Sequence, residues 1–462
     1  MSTTPNGSTE ATACADTSVD AVIVGAGFSG MYMLYRLRKL GLKTRVFDRA
    51  TGVGGTWYWN RYPGARCDIE SMQYSYSFSP ELQQEWHWPE IYSAQPESLE
   101  YANHVADRFD LRRDIEFETS VETAHFDEQA QRWRITTDRG ETLMPRYCIM
   151  ATGCLSSART PDFPGLKDFS GDTYHTGHWP HEGVDFAGKR VAVIGTGSSA
   201  IQAIPVIAEQ AAHLTVFQRT PNYSIPSRNG PMTAEYEQSW KQDYPVHRAE
   251  AQTTKNGILP HANDQSAIEV DEAERRQIYE KRWADGGTRF MAAFNDLATN
   301  AESNDTAASF VRDKIREIVK DPQTAELLAA KDYPIGTKRI CVDTRYFETY
   351  NQDNVDLVDV RDAPVEHLTE RGLRQGGEDY AFDAIVFATG FDAMTGTLDR
   401  IDIRGRDGLR LKQEWEAGPK TYLGMMSAGF PNLFMVTGPQ SPSVLSNMMV
   451  SIEQHVDWMT DC

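Results

Sequence analysis

Two glycine-rich segments have the spacing that brings backbone N–H groups close to a pyrophosphate. The first reads G-x-G-x-x-G over residues 25–30, and the second reads G-x-G-x-x-A over residues 195–200. Glycine lets the backbone approach the phosphates, and the helix that follows offers unpaired N–H groups and a positive dipole end. The predicted cofactor-binding residues of the two segments are Gly25, Gly27, Phe28, Ser29, Gly30, Gly195, Thr196, Gly197, Ser198 and Ser199.

The residue that follows the second strand of each unit distinguishes the two segments. Asp48 closes the first unit's strand, where a carboxylate accepts hydrogen bonds from ribose hydroxyls. The corresponding strand of the second unit is followed by Arg219 and Thr220, and a guanidinium suits a 2′-phosphate. The sequence therefore predicts an FAD site in the first unit and an NADPH site in the second. The alternative interpretation of Arg219 is a solvated turn residue.

Each glycine segment lies between an apolar strand and a stretch with apolar residues at helical spacing, and these elements must position it. The first strand segment begins at residue 19 and the second at residue 189. Strand–turn–helix–strand repeats are typical of parallel α/β sheets. We therefore expect an α/β fold with two nested Rossmann-like dinucleotide-binding domains, one for FAD and one for NADP, and a helical insert.

Two similar Ala-Thr-Gly segments, at 151–153 and 388–390, indicate where the chain crosses between these domains. In the insert, apolar residues recur at helical spacing from 307 to 318, and Asp321 precedes a proline as a helix N-cap would. The predicted divisions are a flexible leader at 1–18, an FAD domain at 19–150 and 384–462, an NADP domain at 155–225 and 333–383, and the helical insert at 226–332.

Composition limits the classes of partner. The chain has 462 residues, of which 40% are hydrophobic and 24% charged, and its net charge of -20 argues against nucleic acid and anionic membranes. The six scattered cysteines form no C-x-x-C pair, and the first 20 residues lack the features of a signal peptide. We expect a cytoplasmic protein that is a monomer or a weak oligomer.

Two longer motifs carry more specific information. The segment 54–68 is rich in aromatic residues and ends in Asp68, which indicates a rigid loop against the edge of a flavin. The segment 169–180 contains histidines at 175, 178 and 181, a spacing that raises the question of a metal site. Glycine and proline interrupt any helix that could align these histidines, and no further ligand completes a set, so we predict no metal.

Together these motifs resemble those of the type I Baeyer–Villiger monooxygenases. That family carries G-G-x-W-x-x-x-x-[FY]-P-[GM]-x-x-x-D, matched here from Gly54 to Asp68. It also carries F-x-G-x-x-x-H-x-x-x-W-P, matched at Phe169, Gly171, His175, Trp179 and Pro180. The likeness runs from about residue 19 to the C-terminus and is strongest to the branch that includes phenylacetone and steroid monooxygenases.

The resemblance implies an FAD- and NADPH-dependent enzyme that inserts one oxygen atom of O2 beside a ketone carbonyl. The product would be an ester or a lactone, formed by way of a C4a-peroxyflavin. By the same resemblance Arg339 and Asp68 would be the catalytic pair, and Lys338 would help Arg219 to hold the 2′-phosphate. A fixed positive charge is effective here because its stabilising effect grows in a water-poor site, while an ordinary interdomain ion pair is the alternative for Arg339.

The resemblance also assigns supporting roles. His175, with Phe169, Gly171 and Trp179, would fix the orientation of the domains rather than transfer protons. The flavin-binding residues would include Gly55, Thr56, Trp57, Tyr74 and Met448. The loop that shapes the substrate pocket would contain Ser441, Pro442, Ser443, Val444 and Leu445.

The chain departs from the family in one respect, because relatives normally continue well beyond the position of Cys462. That difference raises the question of how the pocket closes. Three alternatives remain open from the sequence. They are a class B flavin monooxygenase that oxygenates heteroatoms or hydroxylates amines, a disulfide reductase, and a flavin-binding protein without activity. The spacing of Cys148 and Cys154 does not suit the dithiol of the second.

Overall fold

The structure is a computed structural model that describes residues 18–159 and 161–462. The predicted leader, 1–18, falls outside the described residues except for its last position. Across these two ranges, no helix is both long enough and apolar enough to cross a membrane.

The strands are short and the helices are mostly amphipathic. The strands are β1 Ala21–Val24, β2 Thr44–Phe47, β3 Ile115–Glu116, β4 Val121–Asp127, β5 Arg132–Thr137, β6 Thr142–Leu143, β7 Tyr147–Met150, β8 Asp172–His175, β9 Arg190–Ile194, β10 His213–Gln218, β11 Ser224–Pro226, β12 Cys341–Asp343, β13 Val355–Asp359, β14 Val365–Thr369, β15 Gly372–Gln375, β16 Glu378–Ala381, β17 Ala384–Phe387, β18 Asp402–Arg404 and β19 Leu433–Met435. The helices are α1 Phe28–Lys39, α2 Thr56–Trp59, α3 Pro80–Glu85, α4 Gln95–Arg108, α5 Ser198–Gln210, α6 Ala234–Thr253, α7 Glu272–Asp285, α8 Ala301–Ile318, α9 Pro322–Leu328, α10 Tyr346–Thr349, α11 Leu411–Glu414 and α12 Met448–Asp461.

The first glycine segment belongs to a five-stranded parallel sheet in the order β19-β7-β1-β2-β3. All four residues of β1 are buried, as expected of a strand with neighbours on both sides and layers on both faces. Helix α1 packs its apolar side inward and lies against α12 near the C-terminus. The four-stranded sheet β18-β4-β5-β6 shares a hydrophobic core with this unit.

The second glycine segment belongs to another five-stranded parallel sheet, in the order β13-β10-β9-β17-β8. Helix α5 follows its first strand, just as α1 follows β1. The antiparallel strands β14, β15 and β16 form a separate three-stranded sheet, and Phe217 of β10 contacts Tyr380 and Phe382 beside it. The fold class is thus the predicted one, with two parallel dinucleotide-type sheets.

Strand β17 corrects one predicted boundary. The sequence predicts that residues from 384 onward belong to the FAD domain, but β17 pairs in parallel with β8 and β9 in the second sheet. The two Ala-Thr-Gly exits look alike in sequence because β7 and β17 occupy equivalent places, each beside the strand that precedes a glycine turn. The chain returns to the first sheet only later, at β19.

The region predicted as a helical insert contains α6, α7, α8 and α9. The apolar face of α8 is buried in the same core as the second sheet, and Ala307, Val311 and Ile315 on this face are fully buried. Asp321 caps α9 by accepting a hydrogen bond from the N–H of Thr324, as its sequence predicts.

Candidate active site

A cavity of about 800 Å³ is lined by residues of both dinucleotide-type units. Its walls also include the aromatic loop, the Arg339 segment and the start of α12. The predicted site residues that line it are Gly25, Gly27, Phe28, Ser29, Asp48, Gly55, Thr56, Trp57, Asp68, Tyr74, Gly197, Ser198, Ser199, Arg339, Val444 and Met448. Tertiary folding therefore brings together most of the residues that the motifs identify.

The first glycine turn is tightly packed against its surroundings. Gly25 has φ +106°, and a Cβ there would lie 2.5 Å from the carbonyl oxygen of Ala151. A Cβ at Gly30 would lie 1.9 Å from the carbonyl oxygen of Gly25. The backbones of Gly27 and Gly55 also approach each other, since a Cβ on Gly27 would be 3.3 Å from the Cα of Gly55. Only glycine permits this geometry.

The second glycine turn has the same start but a more open surface. Gly195 has φ +112°, and its Cβ would lie 2.5 Å from the carbonyl oxygen of Ala388. Nothing lies within 4 Å of a Cβ on Gly197. In both units the helix begins at a glycine with no side-chain cap, whereas side chains cap α6, α7, α8 and α12. Uncapped N–H groups at α1 and α5 suit pyrophosphates.

Asp48 is fixed at the end of the first unit's second strand. Its two oxygens accept hydrogen bonds from the N–H groups of Ala26, at 2.6 Å, and Ala50, at 2.8 Å. Burial raises the pKa of the Asp48 carboxyl, and the two backbone hydrogen bonds oppose that rise. The side chain is thus aimed at the glycine turn, where the ribose of a dinucleotide would lie.

Arg219 and Lys338 are exposed beside the second glycine turn. Among residues 18–159 and 161–462, Arg219 has no carboxylate partner within ion-pair distance. The Nζ of Lys338 lies 4.2 Å from the centre of the Tyr333 ring, and the Tyr333 hydroxyl donates to the carbonyl of Pro221. Thr196 in the turn donates to the carbonyl of Thr220, so these segments converge.

Arg339 forms a two-pronged ion pair with Asp68. Its Nε donates to Oδ2 at 2.5 Å and its Nη2 to Oδ1 at 2.9 Å, and the side chains are only 25% and 23% exposed. Burial disfavours the cation, but the Asp68 carboxylate outweighs burial and the pKa of Arg339 is raised. Arg339 is therefore a cation held at the cavity wall.

The remaining donors of Arg339 contact the predicted substrate loop. Nη1 donates to the carbonyl oxygens of Val444, at 2.6 Å, and Ser446, at 3.1 Å. Four of the five guanidinium N–H groups are thus used, which leaves one on Nη2 without a partner in the described part of the chain. Within 441–445 only Val444 lines the cavity, and Leu445 is 54% exposed.

The aromatic loop forms a rigid wall of the cavity. The indole Nε1 of Trp57 donates to the hydroxyl of Tyr74 at 3.3 Å, and the two rings meet edge to face. Phe28 also meets the Tyr74 ring edge to face. Burial raises the pKa of Tyr74, which keeps its hydroxyl protonated. These contacts fix the relative positions of Phe28, Trp57 and Tyr74 in the wall.

His175 links the two segments that cross between the units. Its Nε2 lies 3.2 Å from the carbonyl oxygen of Arg159 and 3.3 Å from the hydroxyl of Thr389, and its Nδ1 accepts from the N–H of Gly177. Burial lowers the pKa of His175, so the ring is neutral at neutral pH. No cluster of three potential metal ligands occurs in 18–159 or 161–462.

The rest of the linker motif is structural in its contacts. Phe169 and Trp179 are buried, and a Cβ at Gly171 would lie 2.6 Å from the carbonyl oxygen of Asp383. Gly171 therefore allows the start of β8 to lie close beside the residue that precedes β17. These three residues do not line the cavity.

Several cavity residues carry no signal in the sequence. Gln202 on α5 accepts from the hydroxyl of Tyr62 at 2.9 Å and donates to the carbonyl of Arg66, which joins the aromatic loop to the second unit. Arg49 lies over the Trp59 ring at 4.8 Å. Only the position of Arg49, directly after Asp48, could have drawn attention to it.

Comparisons with known proteins agree with this geometry. A family model described as pyridine nucleotide-disulphide oxidoreductase matches residues 22–264, so the chain belongs to that broad family. A Baeyer–Villiger monooxygenase from Pseudooceanicola batsensis is 43% identical over 468 residues, which cover 98% of this chain and 83% of the relative. The chain belongs to the Baeyer–Villiger monooxygenases.

One solved structure and one further relative are also similar to this chain. A structure of oxidised steroid monooxygenase bound to NADP superposes on this chain with a TM-score of 0.93 and 55% sequence identity. The match covers 96% of this chain and 85% of the steroid monooxygenase chain. A phenazine N-monooxygenase from Lysobacter antibioticus is 43% identical over 447 residues, or 96% of this chain and 82% of the relative. The predictions of the family, its steroid monooxygenase branch and the monooxygenase class are confirmed.

Family membership also argues against two of the alternatives, the disulfide reductase and the inactive flavin-binding protein. The five cysteines of the described ranges are free, and Cys148 is buried within β7. The chain therefore shares the fold of the disulphide oxidoreductases while its relatives are monooxygenases. An inactive flavin-binding protein is likewise disfavoured by the enzymes to which the chain is related.

Proposed function

We propose that this protein uses FAD, NADPH and O2 to insert one oxygen atom beside the carbonyl of a small-molecule ketone, and that it releases an ester or a lactone. The prediction of FAD and NADP as cofactors is confirmed by the family. The observation that carries the proposal is the partly buried Arg339–Asp68 pair at a cavity lined by both glycine turns.

The residues fit the two cofactors. The tight turn at Gly25 to Gly30, with Asp48, would hold the FAD pyrophosphate and ribose, and Trp57 and Tyr74 would lie beside its ring system. The open turn at 195–200 would hold the NADPH pyrophosphate. When bound, NADPH supplies hydride and the flavin supplies the activated oxygen.

Arg339 is the proposed catalytic residue. Negative charge develops on the ketone oxygen as its carbonyl is attacked, and a guanidinium held in a water-poor cavity stabilises that charge. Asp68 fixes the plane of the guanidinium through two hydrogen bonds, and the carbonyls of Val444 and Ser446 fix its other end. The N–H on Nη2 that has no partner among residues 18–159 and 161–462 is the donor available to substrate or cofactor.

Arg219 and Lys338 are the proposed ligands of the NADPH 2′-phosphate. Both are exposed cations next to the second turn, and Arg219 has no carboxylate partner among the described residues. An unpaired guanidinium at this position suits a phosphate dianion because it can donate two parallel hydrogen bonds. Thr220 lies beside them through its carbonyl contact with Thr196.

His175 is proposed as a positioning residue between the two units. It contacts Arg159 after the first crossing segment and Thr389 in the second, so it ties both together. Its lowered pKa argues against a role as proton donor. Ser441 to Leu445 remain the proposed substrate loop, with Val444 as the member that reaches the cavity.

The broader proposals concern organisation and location. We propose an FAD domain, an NADP domain and a helical insert with the boundaries given above, except that 384–387 join the NADP domain. A net charge of -20 and free cysteines support a cytoplasmic protein that does not bind nucleic acid or membranes. We propose a monomer or weak oligomer.

The test is replacement of Arg339 by alanine in the FAD-loaded enzyme. We expect bound flavin and its anaerobic reduction by NADPH to persist, while ester formation from aryl, cyclic and steroid ketones falls by about 100-fold or more. Arg316→Ala is the control, because Arg316 forms an exposed ion pair with Glu326 away from the cavity. Normal ester formation by Arg339→Ala would contradict the proposal.

A competition assay tests the substrate class. The wild-type enzyme is given a ketone together with a sulfide and an aromatic amine, because one relative is a phenazine N-monooxygenase. We expect ester or lactone to be the main product. N-oxide or sulfoxide as the main product would instead support heteroatom oxygenation.

A further inference from the structure

The carboxylate of Glu70 is buried two residues beyond Asp68. Only 5% of Glu70 is exposed. Its Oε2 accepts from the Tyr236 hydroxyl at 2.7 Å and from Nε2 of Gln73 at 3.0 Å, and its Oε1 accepts from Nη2 of Arg289. Tyr236 and Arg289 both belong to the helical insert. The insert therefore binds the chain at Glu70, two residues after Asp68 of the proposed catalytic pair.

The same part of the insert also contacts the segment that carries Arg339. Arg289 lies in a 3₁₀ turn, Gly287–Ala292, in which Phe290 is fully buried. Met291 in this turn packs against Gly336, where a Cβ would lie 2.8 Å from the methionine Cε. This one short turn thus contacts both the segment that carries Asp68 and the segment that carries Arg339.

A second anchor joins the insert to the Arg339 segment. Asn304 on α8 donates from Nδ2 to the carbonyl of Ile335 at 2.8 Å and accepts from the Ile335 N–H at 3.1 Å. This amide contact fixes the residue just before Gly336. The insert consequently sets the position of both chain segments that supply the ion pair.

We propose that Arg289, acting through Glu70, is a positioning residue that holds Asp68 in register with Arg339. The proposal rests on the proposed role of that pair in ketone oxidation. Loss of Arg289 leaves a buried carboxylate without its cation, which favours movement of the loop toward water. Since Asp68 is two residues away, its two hydrogen bonds to Arg339 would be disturbed.

The experiment compares Arg289→Met with the isosteric Glu70→Gln and the double variant in the FAD-loaded enzyme. The activity readout is ester formed per NADPH oxidised, and we expect Arg289→Met to lower this ratio about tenfold. We expect Arg289→Lys to restore most of it, and the double variant to exceed Arg289→Met because no buried charge is left unpaired. Arg275→Met is the control, since Arg275 donates to the carbonyl of Ala267 within the insert.

Hydrogen exchange provides a readout that does not depend on ketone oxidation. We expect amide exchange in residues 68–74 to rise in Arg289→Met and to stay at the wild-type rate in Arg275→Met. Wild-type exchange and wild-type ester yield in Arg289→Met would overturn the proposal. Equal effects in Arg275→Met would also overturn it, because they would reflect only the stability of the insert. If the wild type forms no ester, the proposed function fails while exchange still tests the contact.

Discussion

The two glycine turns share a backbone design but differ in how closely they are covered. At the first turn, Gly27 meets the backbone of Gly55, and Gly30 packs directly on Gly25. At the second, Gly197 faces open space and Ala200 occupies the place of Gly30. A closed turn with a buried acid suits a cofactor that stays bound, whereas an open turn with exposed cations suits one that is exchanged.

The charged side chains beside the two turns also differ in how firmly the protein holds them. Asp48 is held by two backbone N–H groups within the protein, while Arg219 has no carboxylate partner in the described ranges. A fixed acid is already organised for ribose hydroxyls, and under the proposed function the Arg219 guanidinium would gain its partner when the 2′-phosphate binds. The difference teaches that one motif can serve a resident and a transient cofactor according to its surroundings.

The largest effect is expected from exchanging the last residue of the two motifs. In Gly30→Ala the new Cβ would meet the carbonyl oxygen of Gly25, so helix α1 must shift and most bound FAD should be lost. Ala200→Gly is the matched variant and should retain FAD, losing only about 1 kcal/mol of stability. Flavin-to-protein absorbance ratios measure the outcome. Full flavin content in Gly30→Ala would remove the distinction between the turns.

A smaller effect is expected from the exposed cation. Arg219→Ala should raise the KM for NADPH about tenfold and leave that for NADH nearly unchanged, because one charge-assisted contact to a phosphate is lost. Steady-state kinetics with both nucleotides measures the ratio. Lys338→Ala should act in the same direction, and bound FAD should not change in either variant. An equal loss with NADH would show that Arg219 does not recognise the phosphate.

The smallest effect concerns Asp48 in flavin-free protein. Burial raises its pKa in the folded state, so between the unfolded and folded pKa values the folded protein holds the proton more strongly. This group therefore makes the free energy of unfolding fall as the pH rises, by at most about 1.4 kcal/mol per pH unit. Asp48→Asn should make that slope less steep in urea unfolding at pH values above about 4, where an unfolded Asp has already lost its proton. An unchanged slope would mean that Asp48 is not desolvated.

Local patterns were sufficient for much of the fold. The apolar strands and amphipathic helices around both glycine segments are predicted by periodicity and form as expected. The Asp321 cap of α9 is equally local. The boundary at 384 was wrong because β17 and β7 have nearly the same sequence pattern, and a strand's pattern does not state which sheet it joins.

The site divides in the same way. Glycine spacing, Asp48 and Arg219 could be read from the chain because each lies within a few residues of the group that it serves. The Asp68–Arg339 pair came from the resemblance to the family, since 271 residues separate its members. The role of Gln202 could not be predicted, because its side chain contacts Tyr62 and Arg66, which are 140 and 136 positions away in the chain. The contacts of the Val444 and Ser446 carbonyls could not be predicted either, because backbone carbonyls carry no residue-specific signal.

The sequence by itself determined that two dinucleotide-type units exist and which charge lies beside each. Those properties depend on backbone freedom and on side chains close in the chain. Only the tertiary structure decided that one turn is covered by Gly55 while the other is open, and that Arg289 reaches Glu70 from the insert. These contacts join segments far apart in the chain, so they depend on how the layers pack rather than on any local pattern.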